Sequence, residues 1–172
     1  MTNPADTSAV QQEYVGLPLI YTRTTGVERV KFLGRATALG LACVVLGVLI
    51  TAARLSPSKA GTGTHQQLGL SSCAFMQQTG LPCPSCGFTT AFTHFAHGNL
   101  LASFYVQPMG ALLAVTFAAG VWIGFYIAIT GRPILRLLNL LPSRYYIMPP
   151  LVFGLIAWGW KIVLIRTGHD GW

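Results

Sequence analysis

Three cysteines stand close together near the middle of the chain. Cys83 and Cys86 form a Cys-x-x-Cys unit, and Cys73 lies ten residues upstream of it. One such unit serves both thiol–disulfide and metal chemistry, and a third cysteine beside it strengthens either. Cys83 precedes Pro84, a residue favoured at the first helical position. The spacing therefore predicts Cys83 at a helix N-cap, where the dipole and free N–H groups lower a thiol pKa. From Pro84 to about His97 the residues pattern as an amphipathic helix. Phe88, Ala91, Phe92 and Phe95 share one face, and Cys86, Thr89, Thr90, Thr93 and His97 share the other. The polar stripe, with His94 beside it, reads most simply as a solvated or interfacial surface; the alternative is a helix that enters the membrane shallowly with the stripe against protein.

Three chemistries fit these thiols. A disulfide from Cys73 to Cys83 or Cys86 would staple a short loop in an oxidising compartment. A redox dithiol would use Cys83 as attacking thiolate, with Cys86 or Cys73 resolving. A metal site, with zinc as the ion, would draw on Cys73, Cys83, Cys86 and His65 from the preceding loop. Cys83-Pro-Ser-Cys86-Gly87 resembles one knuckle of a zinc ribbon, without a second knuckle. His94 and His97 are excluded from such a set by distance. On a continuous helix they lie about 12 and 16 Å from Cys86, against metal–ligand bonds of about 2.0–2.3 Å. Cys43, alone in an apolar run, reads as core packing.

The elements that must carry this segment are apolar. The chain has 172 residues, 52% of them hydrophobic and only 9% charged, with a mean hydropathy of +0.56. Such a composition suits lipid rather than water. Residues 36–53, 109–129 and 147–165 are runs long enough to cross a hydrocarbon core of about 30 Å as helices. Gly40, Gly47, Gly110, Gly120, Gly124, Gly154 and Gly159 in these runs read as helix-packing positions, with Gly120 and Gly124 in one Gly-x-x-x-Gly. Pro149 and Pro150 belong in a first helical turn. Trp158, Trp160 and Trp172 read as an aromatic belt, and Lys161 as a side chain snorkelling to the interface, with a deeply buried functional lysine as the alternative. Residues 1–35 read as a polar segment without a cleavable-signal pattern. Residues 55–72 read as an exposed loop, and 132–146 as a basic amphipathic stretch at the surface.

The net charge is +7, and the basic residues flank apolar runs, which points to a membrane and away from nucleic acid. Arg23, Arg29, Lys31, Arg35, Arg132, Arg136 and Arg144 fall on one side, against Arg54, Lys59, Lys161 and Arg166 on the other. The positive-inside rule then puts the N-terminus in the cytoplasm and the cysteine segment outside. Asp6, Glu13, Glu28 and Asp170 are the only acids, and they offer no paired-carboxylate site.

Cys73, then Thr79-Gly80-Leu-Pro-Cys83-Pro-Ser-Cys86-Gly87-Phe-Thr89, Ala91, Gly98-Asn99 and Pro108, resembles a bacterial family of small membrane proteins known only as a domain of unknown function. Thr90 stands where that family usually has Arg, and Gln107 where Asn usually precedes the Pro. The resemblance implies a membrane location and a shared cysteine-centred element, and no activity; the expected location is a bacterial inner membrane.

The expectation is an all-α integral membrane protein. It has about three transmembrane helices and an amphipathic interfacial helix after the Cys-x-x-Cys, with a polar segment 1–35 and a membrane domain 36–172 that carries the cysteine motif and amphipathic helix at 73–106. The preferred function is a non-enzymatic scaffold or accessory protein with a cysteine-stapled extracytoplasmic loop. Its partners would be the bilayer and another membrane protein or a second copy. A thiol–disulfide oxidoreductase or sensor and a zinc-binding membrane module are the alternatives.

Overall fold

The computed structural model describes residues 30–132 and 144–169, with the backbone alone at 144–146. The expectations for residues 1–29, for most of the basic stretch 132–146 and for Trp172 lie outside the described residues. Among the described residues all regular structure is helical. Three helices are long and apolar enough to span a membrane: α1 (Phe32–Arg54), α5 (Pro108–Thr130) and α6 (Arg144–Thr167). Between α1 and α5 lie a short 3-10 turn (Thr64–Leu68) and three short helices, α2 (Ala74–Thr79), α3 (Phe88–Ala96) and α4 (Leu100–Val106). Leu41, Val44, Trp122, Leu155 and Ile156 are exposed on the outer faces of the long helices, as lipid-facing positions require. Hydroxyls inside these helices are satisfied locally. Thr51 donates to Gly47 O, Thr116 to Leu112 O and Thr130 to Tyr126 O.

Helices α1 and α5 run antiparallel and form the main packed pair. Arg35, at the start of α1, donates through Nε to Ala128 O at 2.7 Å and through Nη2 to Ile129 O at 3.0 Å. It thereby caps orphan carbonyls at the C-terminal end of α5, where a cation is also favoured by the helix dipole. The two backbones approach closely at Gly124. A Cβ there would meet Ala42 Cβ at 2.8 Å and Ala38 O at 3.1 Å. Gly110 is similarly tight against Ala91 and Phe88, whereas Gly40, Gly47, Gly120, Gly154 and Gly159 face open space. Only two of the seven expected packing glycines are therefore needed for close approach, and Gly120 is not part of the contact. Cys43 is also on an exposed face of α1 rather than in a core.

The antiparallel pair gathers residues 55–107 at one end. Helix α3 wedges against α1 and α5 through Phe92, which packs with Ala52 and Ala114 and makes an edge-to-face contact with Phe117 at 5.4 Å. The middle of the polar stripe is turned into protein: Thr90, Thr93 and His94 are buried together with Ala91 and Phe92, while Thr89 is half-buried and His97 is exposed. The Ser103 hydroxyl of α4 donates to Ala91 O at 2.7 Å, and Asn99 caps α4 by accepting from Ala102 N. The loop after α1 is more ordered than its composition suggests. Gln67 exchanges hydrogen bonds with both backbone groups of Ser56. Thr64, fully buried, accepts from Ser58 N and lies 2.8 Å from the Thr90 hydroxyl.

Helix α6 returns towards the same end, and its second half lies against these loops. Its start at Arg144 places Pro149 and Pro150 inside the helix, beyond the first turn. Trp158 and Trp160 do more than a belt residue would. Trp158 Nε1 donates to Pro82 O at 2.8 Å, and Trp160 Nε1 to Tyr105 O at 2.8 Å. Lys161 does not snorkel. It is fully buried, and its Nζ donates to Gly61 O at 3.0 Å.

Candidate metal centre

Cys73 occupies the N-cap position of α2, whose carbonyl accepts from Gln77 N. Helix α2 ends at Gly80 with φ 68°, and the reversed chain brings Leu81 to Gly87 back past Cys73. Cys83 is not at a helix N-cap. Residues 84–87 form a tight turn closed by Cys86 N donating to Cys83 O at 2.9 Å and Phe88 N to Ser85 O at 3.1 Å. The helix begins only at Phe88, after Gly87 in a left-handed conformation with φ 90°. A left-handed residue interrupts α geometry, so the preference of Pro84 for a first helical position is overridden three residues later. The result is a knuckle: Cys-Pro-x-Cys wound around its own sulfurs and closed by a glycine.

The knuckle is held from outside at successive points. Trp158 binds the carbonyl before Cys83. Gln107, fully buried, donates through Nε2 to Pro84 O at 3.1 Å, while its Oε1 has no hydrogen-bond partner among the described residues. The shared effect is to fix the direction in which the cysteine side chains leave the turn.

The sulfurs of Cys73, Cys83 and Cys86 converge, all within 4.8 Å of one another, with Cys83 Sγ and Cys86 Sγ 3.2 Å apart. These three residues are close enough to hold one metal ion. They open on a cleft of about 430 Å³ that His65, Met76 and Thr90 also line. Cys86 is buried, and Cys73 and Cys83 are half-buried. His65 lies in the cleft wall but outside the sulfur cluster, and its Nε2 is paired with Ser71 O at 3.1 Å. His94 and His97 also lie outside it. Burial, and then the neighbouring His97, holds the His94 imidazole below its ordinary pKa, which favours its neutral form.

The two knuckle thiols are electrostatically unlike. Burial is the largest single influence on Cys83 and opposes its ionisation. It is outweighed by hydrogen bonds from the side chains of Ser85, Cys86 and Cys73 and from the Ser85 backbone, which together lower the thiol from 9.0 to about 7. The helix dipole expected at Cys83 plays no part. Burial pushes Cys86 up to about 12, reinforced by the adjacent Cys83. Cys83 is thus protonated below about pH 7 and a thiolate above it, while Cys86 keeps its proton. Alkylation of the metal-free protein is expected to switch on at Cys83 with a midpoint near pH 7 and to leave Cys86 unmodified through the neutral range. Site-resolved mass spectrometry across a pH series checks this, and equal rates at both cysteines would contradict it.

Lys161, Trp158, Gln107 and Thr64 escaped the sequence reading as parts of this site. Lys161 alone carried a signal, as the single charge inside the third apolar run.

Residues 73–121 match the family described as Protein of unknown function (DUF2752). No curated protein and no solved structure matches the chain. The matched segment contains all three converging cysteines and helices α2 to α4, and ends within α5. Trp158 and Lys161, which brace the knuckle, lie outside it.

Proposed function

We propose that this multi-pass membrane protein is a metal-thiolate module in which Cys73, Cys83 and Cys86 bind one zinc ion. The convergence of three sulfurs on one point carries the reading. Tetrahedral zinc with bonds of about 2.3 Å sets its sulfur ligands about 3.8 Å apart, and the Cys83–Cys86 separation and the outer limit of the cluster, 3.2 and 4.8 Å, bracket that spacing. A structural staple needs two sulfurs and leaves the position of the third unexplained. The knuckle also favours metal: a Cys-x-x-Cys opening a helix would suit disulfide exchange, and this one sits in a turn ahead of the helix. The Cys…Thr-Gly-x-x-Cys-Pro-x-Cys-Gly pattern is, on this view, a ligand signature. It does not require a cation at Thr90, whose hydroxyl pairs with Thr64. A fourth ligand would come from the cleft, as water or an incoming group, because His65 Nε2 is paired with Ser71 O.

Zinc analysis of the full chain, purified in detergent without added chelator, is expected to give one ion per chain. Because thiolates are the ligands, binding releases protons. Affinity is therefore expected to rise with pH, and more steeply below about pH 7, where Cys83 also holds its proton. A metal-free protein with a bond between two of the three cysteines would defeat the proposal.

A redox dithiol is the second reading, favoured by the opposite pKa displacements of Cys83 and Cys86. It predicts reversible Cys83 oxidation in the cell, read by trapping thiols in acid before alkylation. For location, we place the protein in a bacterial inner membrane with residues 1–35 in the cytoplasm and the cysteine end outside. A membrane-impermeant thiol reagent applied to intact cells is then expected to reach Cys83 after chelation. Labelling that needs a permeant reagent would reverse the orientation.

A further inference from the structure

The third span contains one charged residue in its interior, and it is fully buried. Lys161 Nζ donates to Gly61 O at 3.0 Å. A Cβ built on Gly87 would lie 3.1 Å from Lys161 Cε, 3.2 Å from Nζ and 3.1 Å from Gly61 O. The lysine head, the Gly61 carbonyl and the Gly87 backbone therefore meet at one point, one residue along the chain from Cys86. A packing role alone would be met by an apolar side chain of the same length. A divalent ion with three thiolates carries a net charge of minus one, so the loaded centre would supply negative charge beside this position.

We infer that Lys161 is the positioning and charge-balancing residue of the cysteine centre. Its hydrogen bond pins the Gly61 loop across the Gly87 turn, and its charge offsets that of the loaded trithiolate. The inference rests on the metal-thiolate reading above. It also gives α6 a part in the centre, because the third span then delivers a cation to a ligand set carried wholly by the segment between the first two.

The test uses the full chain in detergent and three substitutions. Lys161→Arg keeps both charge and donor, Lys161→Gln keeps a donor for Gly61 O without the charge, and Lys161→Met keeps neither. Zinc affinity is read by competition with a chromophoric chelator, and the thiolate-to-metal band is read after loading with cobalt(II). Helical content and gel filtration establish that each variant is folded. Lys161→Arg is expected to bind within a few-fold of wild type. Lys161→Gln and Lys161→Met are expected to bind roughly ten- to a hundredfold more weakly, as residues supporting a metal's ligands do, with a displaced cobalt band. If Lys161→Met does not fold, the comparison of Arg with Gln decides the matter. Gln binding as well as Arg, with an unmoved band, overturns the inference while leaving the metal reading intact. A wild-type chain that takes up neither zinc nor cobalt overturns the metal reading and this inference with it.

Discussion

Cys83→Ser is expected to lower zinc affinity by about two orders of magnitude and to leave the helical content unchanged. Structural zinc sites in peptides bind with about 10–16 kcal/mol of apparent free energy, or about 3 kcal/mol for each of four ligands, which is about a hundredfold per ligand. Cys73→Ser and Cys86→Ser are expected to match it, because all three sulfurs lie in the same cluster. Cys43→Ser is the internal control: that thiol is on the exposed face of α1, away from the cluster, and its loss should change nothing. Chelator competition on the four variants separates the readings. A disulfide staple predicts that the wild-type chain itself takes up no zinc, so that no cysteine substitution changes the reading. Equal losses at all three, with none at Cys43, are the signature of a shared ion.

Gly87→Ala is expected to destabilise the protein by about 2–5 kcal/mol. The left-handed conformation at φ 90° costs a residue with a Cβ about 1–2 kcal/mol. The Cβ also enters a space bounded by Gly61 O and the Lys161 head at 3.1–3.2 Å, and overpacking of this kind costs about 1–3 kcal/mol. Gly80→Ala separates the two contributions. Gly80 is also left-handed, at φ 68°, but a Cβ there meets nothing within 4 Å, so only the conformational part, about 1–2 kcal/mol, should appear. Reversible denaturation of detergent-solubilised protein measures both. The excess at Gly87 reports how tightly the third span is pressed onto the knuckle, and equal effects at the two glycines would show that it is not.

Much of the architecture was legible in the residues themselves. A span needs about twenty apolar residues and internal satisfaction of every backbone group, and both conditions can be read from composition. Helices α1, α5 and α6 accordingly appear where apolar runs predict them, extended by one to a few residues at each end. The amphipathic segment after Cys86 is also present, shortened at its start. The grouping of Cys73 with Cys83 and Cys86 was foreseeable from proximity along the chain.

What spacing could not decide was direction and neighbourhood. Pro84 and the helical wheel both favoured a helix from Cys83, yet Gly87 takes a left-handed conformation that shifts the start to Phe88 and turns a helix cap into a knuckle. A polar stripe has the same sequence whether it faces water or protein. Only packing of α3 against its neighbours buries Thr90, Thr93 and His94. His65 had the right chemistry for a fourth ligand, but its Nε2 is paired with the Ser71 carbonyl instead. Lys161 shows the division most clearly. Its position near the end of a span is compatible with snorkelling, and the residues that capture it, Gly61 and Gly87, are 100 and 74 positions away in the chain. Periodicity acts over a few residues and hydropathy over one span, so together they determine the membrane helices and the cysteine-bearing segment between them. The third span's return to that segment, which sets a buried lysine against the Gly87 turn next to Cys86, depends on contacts across most of the chain and is decided by the tertiary structure alone.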